Sequence, residues 1–378
     1  MITSLPPSRT RRPTFRAALR VALLLALPAS AGAQFNVRLQ LDTRSAEQAL
    51  AVYRGGGNPS AAAATRGSRL VTATTALLSG RQLRDADLEA ALSTAREGRR
   101  VQDDPFLVNE ARAAAPEIGA MLDDLRSRDF AGSVVSTVSQ LFPQGTGIDV
   151  AFPVYVTAFG HRNADGFVRR VEWQGDVPQF VPEGKGMPTI VVDLSKTARN
   201  GRTPDERFTM VAGTVAHEVF HAAFAAYKDR SSFWRRWNEG PRRPVEDLFD
   251  LAQNEGIAYY LNFVLQSRAR FTGPQAQEAR AAFEEFNRMA GELLNPRLSP
   301  DRRRDIMLRA NASDYWSNFG AITGMVMARA VDGSRGRDAL RQTIASGPLE
   351  FFRAYAELES SHPDIPRLSA AVREALRR

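Results

Sequence analysis

The sequence predicts an α+β protein, mostly helical, with a short β-sheet placed just before one long helix. Three observations carry this. Helical periodicity fills the stretch from Ser45 to Leu141 and returns from Pro244 to the C-terminus. Between these regions, Ile148–Phe159, Phe167–Trp173 and Thr189–Leu194 are rich in β-formers, with Val150, Phe152, Val154 and Val156 in alternation. A capped helix then runs through Val211–Lys228, reading VAGTVAHEVFHAAFAAYK. The chain divides accordingly into residues 1–33, a helical N-terminal region at 34–145, a core at 146–270 and a C-terminal helical region at 271–378.

Residues 1–33 read as a secretory signal peptide. Arg9, Arg11, Arg12, Arg16 and Arg20 form a positive start, Val21–Leu27 an apolar segment, and Ala31-Gly32-Ala33 a small-residue cleavage site. The apolar segment is too short to span a bilayer. The expected location is extracytoplasmic, periplasmic or secreted. The formal charge of +8 includes those five arginines and falls to +3 without them. That value argues against nucleic acid as a partner, and no later run of apolar residues suggests a membrane. With no cysteine in the chain, disulfides and thiolate metal ligands are excluded together.

Taken in order, Ser45–Tyr53 is a helix that stops at Gly55-Gly56-Gly57, and Asn58–Thr65 is a linker or a short helix. Helices follow at Leu70–Leu78, Ala86–Arg96, Pro105–Leu125 and Phe130–Leu141. The turn signal Asn163-Ala164-Asp165-Gly166 makes Phe167–Trp173 the return strand of a hairpin, after which Thr189–Leu194 forms another strand. Thr203-Pro204-Asp205-Glu206 starts the long helix with a capping threonine, proline at the first position and glutamate at the third. Asp229–Arg243 is expected as a loop whose Phe233, Trp234 and Trp237 pack locally or meet a ligand at a cleft rim. Pro244–Ser267 is the second helix of the core. Pro274–Leu294, Pro300–Ala310, Asp314–Val331, Gly336–Ala345, Pro348–Leu358 and Pro366–Arg378 complete the chain as helices bounded by Pro, Gly or Asn.

The chemistry is concentrated in His217-Glu218-Val219-Phe220-His221, two of the four histidines of the chain lying one helical turn apart. That spacing puts both imidazoles on one face, where they can share one Zn²⁺. Glu218 can lean toward a water at such a metal as a general base. The uncharged neighbours Thr214, Val215, Val219, Phe220, Ala222 and Ala223 suit a buried helix. His161 falls in a turn or cleft wall, and His362, before Pro363, at the surface. A catalytic zinc needs a third protein ligand. Phe224 and Tyr227 occupy the positions from which one closely spaced pattern would supply glycine and a further ligand, so that branch is excluded. Asp229, Glu246, Asp250 and Glu255 remain as candidates.

The segment Asn254-Glu255-Gly256-Ile257-Ala258 resembles the N-E-x-x-A segment of gluzincin metallopeptidases. The chain is also similar to uncharacterised bacterial zinc-peptidase families in which H-E-x-x-H is followed by N-E-G. The likeness covers roughly residues 148–331 and implies a zincin-like core, with His217, His221 and Glu255 as zinc ligands and Glu218 as base. It implies hydrolysis of a peptide or protein substrate. Tyr259 stands where thermolysin-like members carry an aspartate. Gly186-Met187-Pro188-Thr189 lacks the glutamate and asparagine of the aminopeptidase G-x-M-E-N segment, which favours an endopeptidase. The resemblance further implies an oxyanion donor near Ser313-Asp314-Tyr315-Trp316, with Tyr315 first and Tyr259 or Tyr260 next. A non-catalytic binding protein on the same fold and a non-peptide amidohydrolase are the alternatives.

Overall fold

Four of the five strands of the sheet come from residues 149–193 and the remaining one from residues 36–42. In the computed structural model, described residues are 35–162, 165–182, 185–267, 271–311 and 315–377, without the side chains of Gln266, Ser267 and Tyr315. The signal-peptide expectation for residues 1–33 lies outside them, as do Asn163 and Ala164 of the predicted turn. Among the described residues no helix is long and apolar enough to cross a membrane.

The sheet order is β1 (Asn36–Asp42), β2 (Asp149–Thr157), β5 (Met187–Asp193), β3 (Gly166–Gln174) and β4 (Val177–Phe180). β1 and β5 lie parallel to β2, whereas β3 runs antiparallel to both β5 and β4. Together with the predominance of helix this is the mostly helical α+β class the sequence predicts. Two local expectations need correction. Residues 36–42 form a strand within the region read as helical; Val37, Leu39 and Leu41 alternate, and Val37 is buried against the core. The predicted hairpin between β2 and β3 is not formed, because β5 lies between them. The run Thr189-Ile190-Val191-Val192 is buried throughout, as an interior strand covered on both faces should be.

The long helix extends from Pro204 to Arg230, hereafter the motif helix. Thr203 Oγ1 accepts a hydrogen bond from the Glu206 amide at 3.1 Å, and Glu206 in turn accepts from the amide of Arg202 at 2.8 Å. Val211, Val215, Val219, Phe220 and Phe224 bury its inner face. Instead of a loop, Ser232–Glu239 forms a further helix, with the Ser231 hydroxyl as its cap. Trp234 is fully buried there and donates from Nε1 to the Ile344 carbonyl at 2.8 Å, so the aromatics of this segment are packing residues. The single helix expected over Pro105–Leu125 is broken into Val108–Ala113 and Ala115–Ser127, with Pro116 in the first turn of the second piece.

Pro244–Ser267, the ligand helix, packs between the motif helix and the brace helix, Phe319–Arg335. The ligand and brace helices cross backbone to backbone. A Cβ on Gly324 would lie 1.7 Å from the Ala252 carbonyl oxygen, and one on Gly256 would lie 2.3 Å from Gly324. Only glycine fits either position. Gly324→Ala should therefore destabilise the fold by about 1–3 kcal/mol in denaturant titrations. Gly333→Ala on the same helix, where a Cβ meets nothing within 4 Å, should be neutral or mildly stabilising.

Candidate metal centre

The helical spacing of His217 and His221 brings their Nε2 atoms to 3.0 Å from one another. Glu255, on the facing ligand helix, places Oε2 at 3.3 Å from His221 Nε2 and 3.9 Å from His217 Nε2. The three side chains retain only 14–17% of their exposure, at the floor of a cleft of about 1220 Å³. Among the described residues they are the one group of three such side chains close enough to share a cation. The rival carboxylates are engaged elsewhere: Asp250 with Lys228 at 2.7 Å and Glu246 with Arg243 at 2.7 Å. Asp229 lines the cleft but does not join the group.

The groups behind the three side chains fix their orientation. His221 Nδ1 lies 3.2 Å from Asn254 Oδ1, and His217 hydrogen-bonds the backbone of Ala258. With those ring positions committed, both Nε2 atoms and a carboxylate oxygen turn their lone pairs to a common point. Such an arrangement is repulsive unless a proton or a cation occupies it. Asn311 completes the set with a side-chain hydrogen bond to Glu255. Two imidazoles and one carboxylate are a zinc donor set that leaves a coordination position open.

The protonation balance follows from the same contacts. Burial and the neighbouring His221 hold His217 well below the ordinary imidazole range. Burial also opposes a charged His221, but Glu255 outweighs it and raises this imidazole. Burial likewise works against the Glu255 carboxylate, yet His221, then His217 and Asn311, keep it below its usual value.

Glu218 is outside the ligand group. Burial pushes its carboxyl up to about 7, with His221 and Arg169 pulling against the shift and Glu255 adding to it. Gly166 at the start of β3 lets the strand approach this helix, since a Cβ there would lie 2.8 Å from Thr214 and 3.6 Å from Glu218 Cγ. Tyr259 lines the cleft with its ring 5.2 Å from that of His217, and its hydroxyl accepts from Asn318 Nδ2 at 2.7 Å. Tyr260 points to Asp332 and is spent there. The side chain of Tyr315 lies outside the described residues; its backbone opens a short 3-10 turn, Tyr315–Ser317. His161 lines the cleft, whereas His362 bonds to Ser334 and Ser361.

Sequence reasoning did not find the supporting roles of Asn254, Asn311 and Arg169. Asn254 was visible as part of the N-E pattern, but nothing in the sequence marks Asn311 or Arg169.

Removing an orienting partner should weaken the site without abolishing it. Competition against a chromophoric chelator should show zinc affinity reduced roughly 10–100-fold in Asn254→Ala and in Asn311→Ala. Glu255→Ala should lose zinc on mild dialysis. Asp250→Ala, whose carboxylate serves Lys228, should bind zinc as the natural chain does.

One family model, described as "Putative zinc dependent peptidase (DUF5700)", matches residues 62–363. The matched span contains the motif, ligand and brace helices and every strand except β1. Zinc is the metal of that family, in agreement with the donor set. No curated protein and no solved structure matches the chain.

Proposed function

The chain belongs to this zinc-peptidase family, and we propose that it is a gluzincin-type endopeptidase built on a zincin-like core and acting outside the cytoplasm. The observation that carries the reading is the division of labour between two carboxylates. Glu255 joins His217 and His221 in the ligand group, while Glu218, half-buried beside them, stays free for proton transfer. The leader-like residues 1–33 support the location.

Zinc, when bound, polarises a carbonyl and makes a water a stronger acid. His217, His221 and Glu255 hold it, and Asn254, Asn311 and the Ala258 backbone keep those three in place. Glu218 accepts a proton from the attacking water and later returns it to the leaving amine. Burial favours the protonated Glu218 carboxyl and a bound cation would favour the ionised one, and that balance suits a group that both takes and returns the proton.

The peptide needs a strand edge to bind in extended form. β5 offers none, being paired with β2 on one side and β3 on the other. Among the described residues, the unpaired edge that borders the cleft is the first half of β3. Gly166–Arg170 pair with β5 on one side, while on the other β4 covers Val171–Gln174 and the Val181 amide donates to the Arg170 carbonyl at 3.0 Å, which leaves Gly166–Arg169. The Gly166–Arg170 segment also lines the cleft beside Glu218.

Glu218→Gln should lower turnover of a peptide library by roughly 10²–10⁴-fold while zinc content stays at the natural level. Equal turnover at equal zinc would remove Glu218 from the reaction.

Two tyrosines compete for the oxyanion-donor role: Tyr315 from the resemblance and Tyr259 from its place in the cleft. Substitution of the true donor by Phe should reduce kcat roughly 10²–10³-fold with KM little changed. The other Phe variant should stay within about threefold of the natural chain.

A further inference from the structure

The cleft carries a cationic wall, part of which has no carboxylate partner among the described residues. Five basic side chains line it: Arg162, Arg169, Arg170, Lys196 and Lys228. The two lysines are neutralised, by Asp165 at 2.7 Å and by Asp250 at 2.7 Å. Among the described residues the three arginines make no ion pair with a carboxylate within contact distance. Arg170 donates to the Lys185 and Gly186 carbonyls at 3.2 and 3.4 Å, and Arg162 is exposed.

Arg169 is the unusual member. It sits half-buried on β3, with its guanidinium 5.7 Å from the centre of the Phe167 ring. Among the described residues, Nη1 donates only to the Val168 carbonyl at 3.1 Å, and Nε is buried without any acceptor. A guanidinium held in this way forgoes the bidentate carboxylate geometry to which it is best suited. Glu218 attracts it through space, but that carboxylate is committed to proton transfer. Once a divalent cation balances Glu218 and Glu255, the three arginines outnumber Asp229, the remaining carboxylate of the lining, and leave this cleft with excess positive charge. An anionic ligand would meet both the charge and the orphaned donor.

We propose that Arg169 receives a carboxylate of the peptide substrate, from an Asp or Glu side chain or from a free C-terminus, with Arg162 and Arg170 adding to the attracting field. This rests on the peptidase reading above and specifies its substrate class. The carboxylate joins Arg169 while the backbone lies along the free edge of β3.

The test is equilibrium binding of matched peptides to zinc-loaded Glu218→Gln chain, which separates recognition from turnover. Each pair differs only by Glu against Gln at one position, or by a free against an amidated C-terminus, and affinities are read by fluorescence anisotropy. At least one pair should favour the acid by roughly tenfold or more, the usual worth of a hydrogen bond to a charged group. Adding Arg169→Gln should bring that ratio to near one, and Arg169→Lys should keep part of it; thermal melts establish that each variant is folded. A side-chain receptor shows as a position-specific acid preference that survives amidation, and a terminal receptor as a preference for the free terminus whatever the sequence. Were Arg169 only a brace for Glu218, the acid-to-amide ratio would not respond to it. Absence of any acid preference, or a preference unchanged by Arg169→Gln, overturns the proposal. If the preference is present but the natural chain cleaves none of these peptides, the peptidase reading fails and the carboxylate receptor stands.

Discussion

Two imidazole nitrogens and a carboxylate oxygen turned toward one point are the constraint on which the rest of this molecule depends. Asn254, Ala258 and Asn311 hold the three from behind and keep them aimed at that point. Each support comes from a helix whose position is fixed independently. Asn254 and Glu255 are adjacent on the ligand helix and Ala258 lies one turn further on, so one element supplies both a ligand and the supports of the two ligands opposite. The brace helix then fixes the ligand helix through a contact so close that only Gly256 and Gly324 permit it. The glycine of the N-E-G segment thus has a mechanical role. It lets the carboxylate beside it reach across to the motif helix.

The same geometry separates the two glutamates electrically. Glu255 is held charged by its neighbours, whereas Glu218 is left to burial, which lifts it toward neutrality. Ligand and base therefore differ in surroundings more than in chemistry. The sheet contributes by closing the site from the other side: β3 comes against the motif helix at Gly166, and its unpaired half borders the cleft. Arg169 occupies that border, where sheet, base and cleft meet.

How far the sequence revealed this depended on the range of the interactions. The motif helix, its threonine cap and the Pro244–Ser267 helix were legible because capping and periodicity are local. The Glu255 position was legible only through resemblance, since 33 intervening residues carry no sign of which carboxylate will face the histidines. Sheet order was not legible. Insertion of β5 between β2 and β3 is a long-range pairing, and the local turn signal at Asn163–Gly166 argued for a hairpin instead. β1 shows a different failure: Val37, Leu39 and Leu41 alternate plainly, but the alternation was overlooked beside the long helical tract that follows. The helix at Ser232–Glu239 was hidden by its charged residues, although Phe233, Trp234 and Trp237 share one side of it. Asn311 and Arg169 could not have been singled out, because each acquires its role only from a partner distant in sequence.

The place of the metal decides the roles of His217, His221, Glu255 and Glu218 together. A crystal structure of the zinc-loaded chain, phased on the zinc anomalous signal, places the ion directly. The expected result is one zinc per chain, at about 2.0–2.2 Å from a nitrogen of His217, a nitrogen of His221 and an oxygen of Glu255. Its remaining position should open toward Glu218 and the cleft. Zinc bound away from these three residues, or a Glu218 carboxylate directly in the coordination shell, would contradict those roles.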